Sequence, residues 1–305
     1  MDRNFRNTLR VLVSGPVFFD EPMGRHTSIG VGGKAEALVF PKTKEELESV
    51  LECIRRSGTA FLPVGNCTNL IVRDGGFKGV LISMREMRAK RLQPEGDNVM
   101  LYAEAGVAFA DIVSLTADQA LTGLEFCAGI PGTVGGGVKM NAGAYGREIK
   151  DVTKSVSLMN GAGFRSIERS ELAFSYRHLE LPKNAVIVEA MFMLQRSSIE
   201  KVSSAIGDII ALRTAKHPLR YRNAGSVFKN PKPETAGHLI EEAGMKGIRV
   251  GDAMVSQEHG NFIVNLGRAT AHDILSLIEQ VEDRVCETFG VRLEREVQII
   301  GEEAS

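Results

Sequence analysis

The sequence predicts an α+β fold of two or three domains, and three observations carry that expectation. A strand–helix–strand unit occupies 35–64, strands and turns dominate 79–194, and a new section mixing helices and strands begins near Arg220. At 305 residues there is chain enough for that many cores. The expected divisions fall at 1–78, 79–210 and 211–290, with 291–305 a candidate to return to the first part.

The elements follow in order. Residues 35–40 are a short apolar strand stopped by Pro41. Thr43 then opens a helix, with Glu46 three residues on completing a capping box. Leu47, Val50, Leu51 and Ile54 share one face of it, and Gly58 ends it. Residues 60–64 form the next strand. Further strands are expected at 79–84, 99–105, 149–159, 164–168 and 186–194, and helices at 109–120 and 199–216. The last section holds helices at 236–243 and 271–289, a strand at 262–266, and a final strand at 292–300 that alternates charged and apolar residues up to Val297. No internal repeat or low-complexity tract is evident.

Composition excludes several classes of function. A net charge of -1 gives no support for a nucleic-acid or anionic-membrane partner. Cys53, Cys67, Cys127 and Cys286 form no C-x-x-C pair, so neither a disulfide framework nor a zinc site is indicated, and a reducing compartment fits. The six histidines are dispersed without ligand spacing. Charges interrupt the apolar residues of the first fifteen positions, unlike a signal peptide, and no run reaches the length of a membrane span. The expectation is a soluble cytoplasmic protein, with a monomer as default.

The most informative stretch is 129–146, GIPGTVGGGVKMNAGAYG, with glycine at 129, 132, 135, 136, 137, 143 and 146 and a single charge. No packed helix or strand interior is expected to tolerate that density, because each glycine adds chain entropy that folding must remove. Glycine helps where backbone N–H groups must approach a phosphate or a flat ring. The length suggests a cofactor with both a pyrophosphate and a ring system. The spacing is not the G-x-G-x-x-G dinucleotide fingerprint, and Pro131 interrupts it. A free linker is the alternative, opposed by Ile130, Val134, Val138 and Met140. A second candidate for the same ligand is the small polar turn Gly65-Asn66-Cys67-Thr68-Asn69 directly after a strand, which also reads as an ordinary turn.

Three shorter segments place reactive groups among apolar or small neighbours. In Phe174-Ser175-Tyr176-Arg177 the guanidinium suits a carboxylate, or pairs with a surface acid such as Glu180. In Gly225-Ser226-Val227-Phe228-Lys229-Asn230-Pro231 a serine follows glycine without forming a hydrolase elbow. As a proton donor Ser226 needs a nearby cation, Lys229 or Arg177; as a plain turn it needs nothing. In Leu293-Glu294-Arg295-Glu296-Val297, strand alternation puts both glutamates on one face, a solvent edge unless a pocket adjoins them. The turn at 26–33, HTSIGVGG, is either a third cofactor contact or a lead-in. Gln257, Glu258, His259 and Asn261 precede a strand, as substrate contacts or as a solvated loop.

Taken together, HTSIGVGG, PVGNCTNLIV, GIPGTVGGGVKMNAGAYG, FSYR, NAGSVFKNP and LEREV, in that order, resemble the UDP-N-acetylenolpyruvoylglucosamine reductases, also called UDP-N-acetylmuramate dehydrogenases. The likeness runs from about His26 to Ile300, and no motif residue departs from the pattern in a way that suggests an inactive homologue. It implies a two-subdomain FAD-binding fold of the vanillyl-alcohol-oxidase type over 1–78 and 79–210, with a C-terminal α+β substrate domain over 211–290. The chain is similar to the family's shorter type, since 149–182 leaves little room for an additional substrate-covering loop. A tyrosine contact to the substrate pyrophosphate is therefore in doubt.

The resemblance implies Arg177, Ser226 and Glu296 as catalytic residues, and Tyr176, Lys229, Asn230 and Asn261 as substrate contacts. It implies FAD contacts at His26 and Thr27, at Gly65, Asn66, Cys67, Thr68, Asn69 and Leu70, at Gly129, Ile130, Pro131 and Gly132, and at Gly136, Gly137, Asn141, Ala142 and Gly143. NADPH is the implied reductant and a UDP-sugar enolpyruvyl ether the implied substrate. Arg177 would hold the substrate carboxylate, Glu296 would assist if burial raised its pKa, and Ser226 would protonate the α-carbon. A competing reading is an FAD oxidase of a small alcohol or sugar, with His26 as the candidate flavin tether. A non-catalytic flavin or sugar-nucleotide module would lack one of the three catalytic positions, and all three are present.

Overall fold

The computed structural model describes residues 1–160 and 163–304, and its contacts divide the chain into two units. Unit 1 comprises 1–19, 37–66 and 79–212; unit 2 comprises 20–36, 67–78 and 213–305. The division differs from the expected one because 20–36 and 67–78 join the C-terminal section. Leu70–Val72 pairs in parallel with Gln298–Ile300, and the Asp74 carboxylate accepts from the first two N–H groups of helix Ala271–Phe289, at 3.0 and 2.8 Å.

Unit 1 is built on two sheets. One has the strand order Val17–Pro22, Lys34–Val39, Phe77–Ser83, Phe61–Val64. The strand–helix–strand unit read from sequence is there, with Phe77–Ser83 inserted between its two strands and parallel to Phe61–Val64. Helix Lys44–Ser57 buries Leu47, Val50, Leu51 and Ile54 as its period requires, and Gly58 ends it at φ +66°. Its N-terminus differs from the expected box. The Thr43 hydroxyl accepts from Glu46 N–H, but the Glu46 carboxylate reaches Lys42 N–H (2.7 Å) and Ser14 N–H (3.0 Å). That carboxylate thus ties helix Arg3–Leu12 and its exit to the next helix rather than closing a local box.

The second sheet is antiparallel, in the order Gly163–Glu168, Thr153–Asn160, Val186–Arg196, Asn98–Glu104, Lys90–Glu95. Its central strand opens with five buried residues, Val186 to Ala190, because both faces are covered there. One of the five is Glu189, which accepts from Tyr102 and Ser157 and pairs with Lys44. The strand expected from 149 starts only at Thr153, because Ile149–Asp151 is a 3-10 turn closed by a Glu148/Asp151 capping box.

Unit 2 is an antiparallel sheet in the order Arg222–Ser226, Phe262–Asn265, Ala253–Val255, Arg249–Val250. Helix Ala271–Phe289 buries Ile274, Leu275, Ile278 and Val281 in the core this sheet shares with helix Ala236–Glu242. Thr270 and Asp273 form its capping box, and Gly290 closes it at φ +69°. The final strand is shorter than the alternation predicts, Gln298–Ile300, because only those residues find a partner strand. Among the described residues, no helix is long and apolar enough to cross a membrane.

Candidate active site

In unit 1 the glycine segment is not a bare loop. Val134–Lys139 forms one short helix, which the glycine density argued against. The reason is packing. A Cβ on Gly137 would lie 2.0 Å from the Phe109 ring, and one on Gly135 would lie 2.8 Å from Ala105 Cβ. Those two glycines let a helix lie against side chains about thirty residues earlier, so the bare Cα of Gly137 is explained by Phe109 rather than by a ligand. Two backbone donors are also committed, Val134 N–H to Val107 O and Gly135 N–H to Ala105 O, both at 2.9 Å. Gly143 in the same way lies close to the opposite strand of its hairpin, where a Cβ would sit 2.5 Å from Arg147 O.

Other parts of the segment keep the geometry a cofactor needs. Gly129 and Gly132 lie at φ +71° and +147°, a region open chiefly to glycine. A Cβ on Gly136 would find only Thr133 Oγ1, at 3.9 Å. Gly65 follows strand Phe61–Val64 and lies so close to the segment that its Cβ would sit 2.3 Å from Thr133 Oγ1. That hydroxyl is buried and has no hydrogen-bond partner, although Thr133 stands at a helix N-cap where it would ordinarily bond the first turn. Ser83 Oγ is buried and equally without a partner, on the residue paired in register with Val64. Two orphaned hydroxyls beside Val64 and Gly65, at a turn whose glycine leaves no room for a side chain, fit a ligand rich in acceptor oxygens, as the pyrophosphate of FAD is. Thr133 and Ser83 were missed from sequence; a threonine inside a glycine run was the available signal.

Arg177 lies at the tip of a hairpin, Phe174–Ser175 against His178–Leu179, with φ +57° and its guanidinium 5.2 Å from the Tyr176 ring centre. A non-glycine residue in that region is strained by roughly 1–3 kcal/mol and is found where function fixes the chain. Asn141, expected at the cofactor, is fully buried at φ +41°, and its carboxamide bonds Ser175 O, Glu148 and Lys150 N–H.

In unit 2 the expected residues converge on one ladder. Strand Arg222–Ser226 pairs Ser226 with Phe262, after a bulge at Gly225, where φ is +77°. The chain then continues between two partners. Val227 N–H donates to Asn261 O (2.9 Å), while Val227 O accepts from Glu296 N–H (2.8 Å). Glu296 is thereby opposite Val227, the residue after Ser226, and its carbonyl accepts from the Asn69 carboxamide at 3.1 Å. Glu294 and Glu296 flank the isolated bridge at Arg295 and differ in exposure. Glu294 is exposed and pairs with Lys229 (2.5 Å), whereas Glu296 is half-buried. Between them Arg295 grips Glu282 with two bonds of 2.6 Å, which holds its guanidinium pKa above the ordinary value.

The other expected contacts of this unit make hydrogen bonds within the protein. Asn261, read as a loop residue, is buried and forms both bonds a strand partner would make, accepting from Phe228 N–H and donating to Phe228 O. Asn230 accepts from Ala236 N–H at the start of the next helix. The Thr27 hydroxyl donates to Val31 O, and the His26 ring meets Glu21 at 2.9 Å. Cys67 stands at φ +51° in the 65–69 turn.

Two family models match, an FAD-binding domain over 35–165 and the C-terminal domain of UDP-N-acetylenolpyruvoylglucosamine reductase over 217–300. Reductases of that name from Syntrophus aciditrophicus and Pelobacter propionicus are 51% and 43% identical, covering 98% and 95% of this chain and 96% and 97% of their own. The crystal structure of the enzyme from Thermus caldophilus superposes with a TM-score of 0.80 at 34% identity, over 93% of this chain and 98% of that one. An alkyldihydroxyacetonephosphate synthase, at 12% identity and TM-score 0.50, shares the fold alone. This chain belongs to the UDP-N-acetylenolpyruvoylglucosamine reductase family.

Proposed function

We propose that this protein is an FAD-containing, NADPH-dependent oxidoreductase that reduces the enolpyruvyl ether of UDP-N-acetylglucosamine to the lactyl ether, giving UDP-N-acetylmuramate for peptidoglycan precursors. Within unit 2 the reading is supported by the ladder in which Glu296 pairs with Val227, the residue that follows Ser226. Within unit 1 it is supported by the two orphaned hydroxyls at the Gly65 turn, where Thr133, Ser83 and the glycine backbone would hold the FAD pyrophosphate.

When bound, FAD supplies the redox chemistry, taking a hydride from NADPH and giving one to the vinyl carbon. The residues of the chain supply orientation and charge. Hydride addition drives negative charge toward the substrate carboxylate, so a fixed guanidinium there binds the transition state better than the ground state. Arg177 has that role. Ser226 donates its proton to the α-carbon, and Glu296 completes the grip on the carboxylate. Tyr176 and Lys229 contact the substrate; Asn230 and Asn261 serve by shaping the loop and strand around Ser226. A cytoplasmic location and a monomer accompany this reading.

The oxidase alternative loses ground to relatives covering nearly the whole chain, and the His26 ring is occupied by Glu21. The test is anaerobic. NADPH should bleach the flavin absorption of the purified protein, and the enolpyruvyl sugar nucleotide should restore it. Reoxidation only by O₂, or flavin that stays with acid-denatured protein, would reject the reading.

A further inference from the structure

The hairpin that carries Arg177 has two residues in each strand, far too few to hold a direction by backbone pairing alone. Two side chains from the glycine segment supply the rest. Asn141 Nδ2 donates to Ser175 O at 2.9 Å, on the strand entering the turn. Lys139 Nζ donates to Leu179 O at 2.8 Å, on the strand leaving it. Both brackets are firmly seated. Asn141 also accepts from Lys150 N–H and donates to Glu148, while Lys139 ends helix Val134–Lys139. Burial pulls the Lys139 ammonium pKa down and Glu180 opposes the shift, so its bond to a carbonyl lies in a partly desolvated place where it counts. Lys139 is the only charge in the glycine segment, and neither the cofactor nor the substrate chemistry requires it.

We propose that Lys139 and Asn141 are positioning residues for Arg177, holding one strand each of its hairpin so that the segment framing the FAD site also aims the carboxylate-binding guanidinium. The inference rests on the role given to Arg177 above. Its consequence is selective. Loosening the Lys139 bracket should leave flavin reduction by NADPH intact and impair the half-reaction in which the enolpyruvyl substrate reoxidises the flavin.

The experiment is a double-mutant cycle on the flavin-loaded protein, read by stopped-flow in each half-reaction. Lys139→Met keeps the apolar stem and removes the ammonium. It should slow reoxidation by roughly 10- to 100-fold, the scale of a small misplacement of a reacting group, with unchanged flavin reduction. Added to Arg177→Ala, it should cost nothing more. Asn141→Gly, which accepts φ +41°, should show the same coupling by a separate bracket. A Lys139→Met loss that persists in full beside Arg177→Ala would overturn the positioning role, as would unaltered reoxidation in the single variant. So would failure of both variants to fold, which would make the brackets purely structural. Normal reoxidation in Arg177→Ala itself would instead refute the role of Arg177.

Discussion

Arg177 and Ser226 are held in opposite ways. Arg177 tops a hairpin of two-residue strands, in a left-handed conformation, with side chains from another segment bracing each strand. Ser226 ends a strand of a four-stranded sheet, and the residues after it are bonded on both edges. Where backbone pairing is sparse, side chains must do the aiming; where a sheet is deep, register does it. The two groups should therefore fail differently. Damage near Arg177 should alter rates while sparing stability, and damage near Ser226 should alter both unless only the hydroxyl is touched.

The largest expected effect isolates that hydroxyl. Ser226→Ala should leave flavin reduction by NADPH fast and slow reoxidation by the enolpyruvyl nucleotide by roughly 10²–10⁴-fold, the usual contribution of one general acid. Equal losses in both half-reactions would remove Ser226 from protonation. The next effect strikes the support beneath it. Asn261→Ala leaves both Phe228 backbone groups buried without partners, at about 1–3 kcal/mol for each. Urea unfolding should show that loss as a lower midpoint. A midpoint near wild type would mean that water or a shifted backbone replaces the carboxamide, and that the Ser226 strand depends less on its edge than argued.

These contrasts were only partly legible in the sequence. Helices Ile199–Lys216 and Ala271–Phe289 have the predicted bounds, since period and end signals such as Gly290 are local. The turn beginning at Gly65, directly after strand Phe61–Val64, stands where it was read for the same reason. Helix Val134–Lys139 was not legible, because its glycines make room for Phe109 and Ala105, and no local propensity reports a distant ring. Asn261 looked like loop polarity because its partner, Phe228, is thirty-three residues away. The final strand was overdrawn because alternation persists through 294–297, where the pairing is an isolated bridge from Phe228 to Arg295. Long-range contact decided each of these, and the candidate site contains more of it than the helices do.

The cofactor side of unit 1 gives a sharper contrast of sign. Thr133→Val removes a buried hydroxyl that bonds nothing within the protein, so the apoprotein should unfold at an undiminished denaturant concentration. Titration of apoprotein with FAD, followed by flavin fluorescence, should show weaker binding by roughly 10- to 100-fold, the worth of one hydrogen bond to a charged group. Unchanged affinity would leave the orphaned hydroxyl without a ligand and weaken the cofactor assignment at Gly65.

The smallest effect lies behind Ser226 and appears only in acid. The His217 ring lies 4.9 Å from the ring of Phe262, the residue opposite Ser226, and 5.7 Å from that of His259. Burial, then Arg213, His259 and Lys216, hold the His217 pKa down at about 4, against 6.5 for an unperturbed imidazole. Between those values the unfolded chain binds more protons than the folded one, so stability falls as pH falls. The contribution of the neutral ring is complete above pH 6.5 and is lost progressively toward pH 4. Because the ring is half-buried, solvent screening keeps the effect below what so large a shift implies. Burial, followed by Lys246, also lowers the pKa of His259, which titrates in the same sense. His217→Phe keeps an aromatic ring against Phe262 and cannot charge, so its urea midpoint should decline less steeply than wild type over this window, with a residual slope from His259. Superimposable acid limbs would show that the Ser226 sheet tolerates an imidazolium at its back, and that its rigidity comes from register alone.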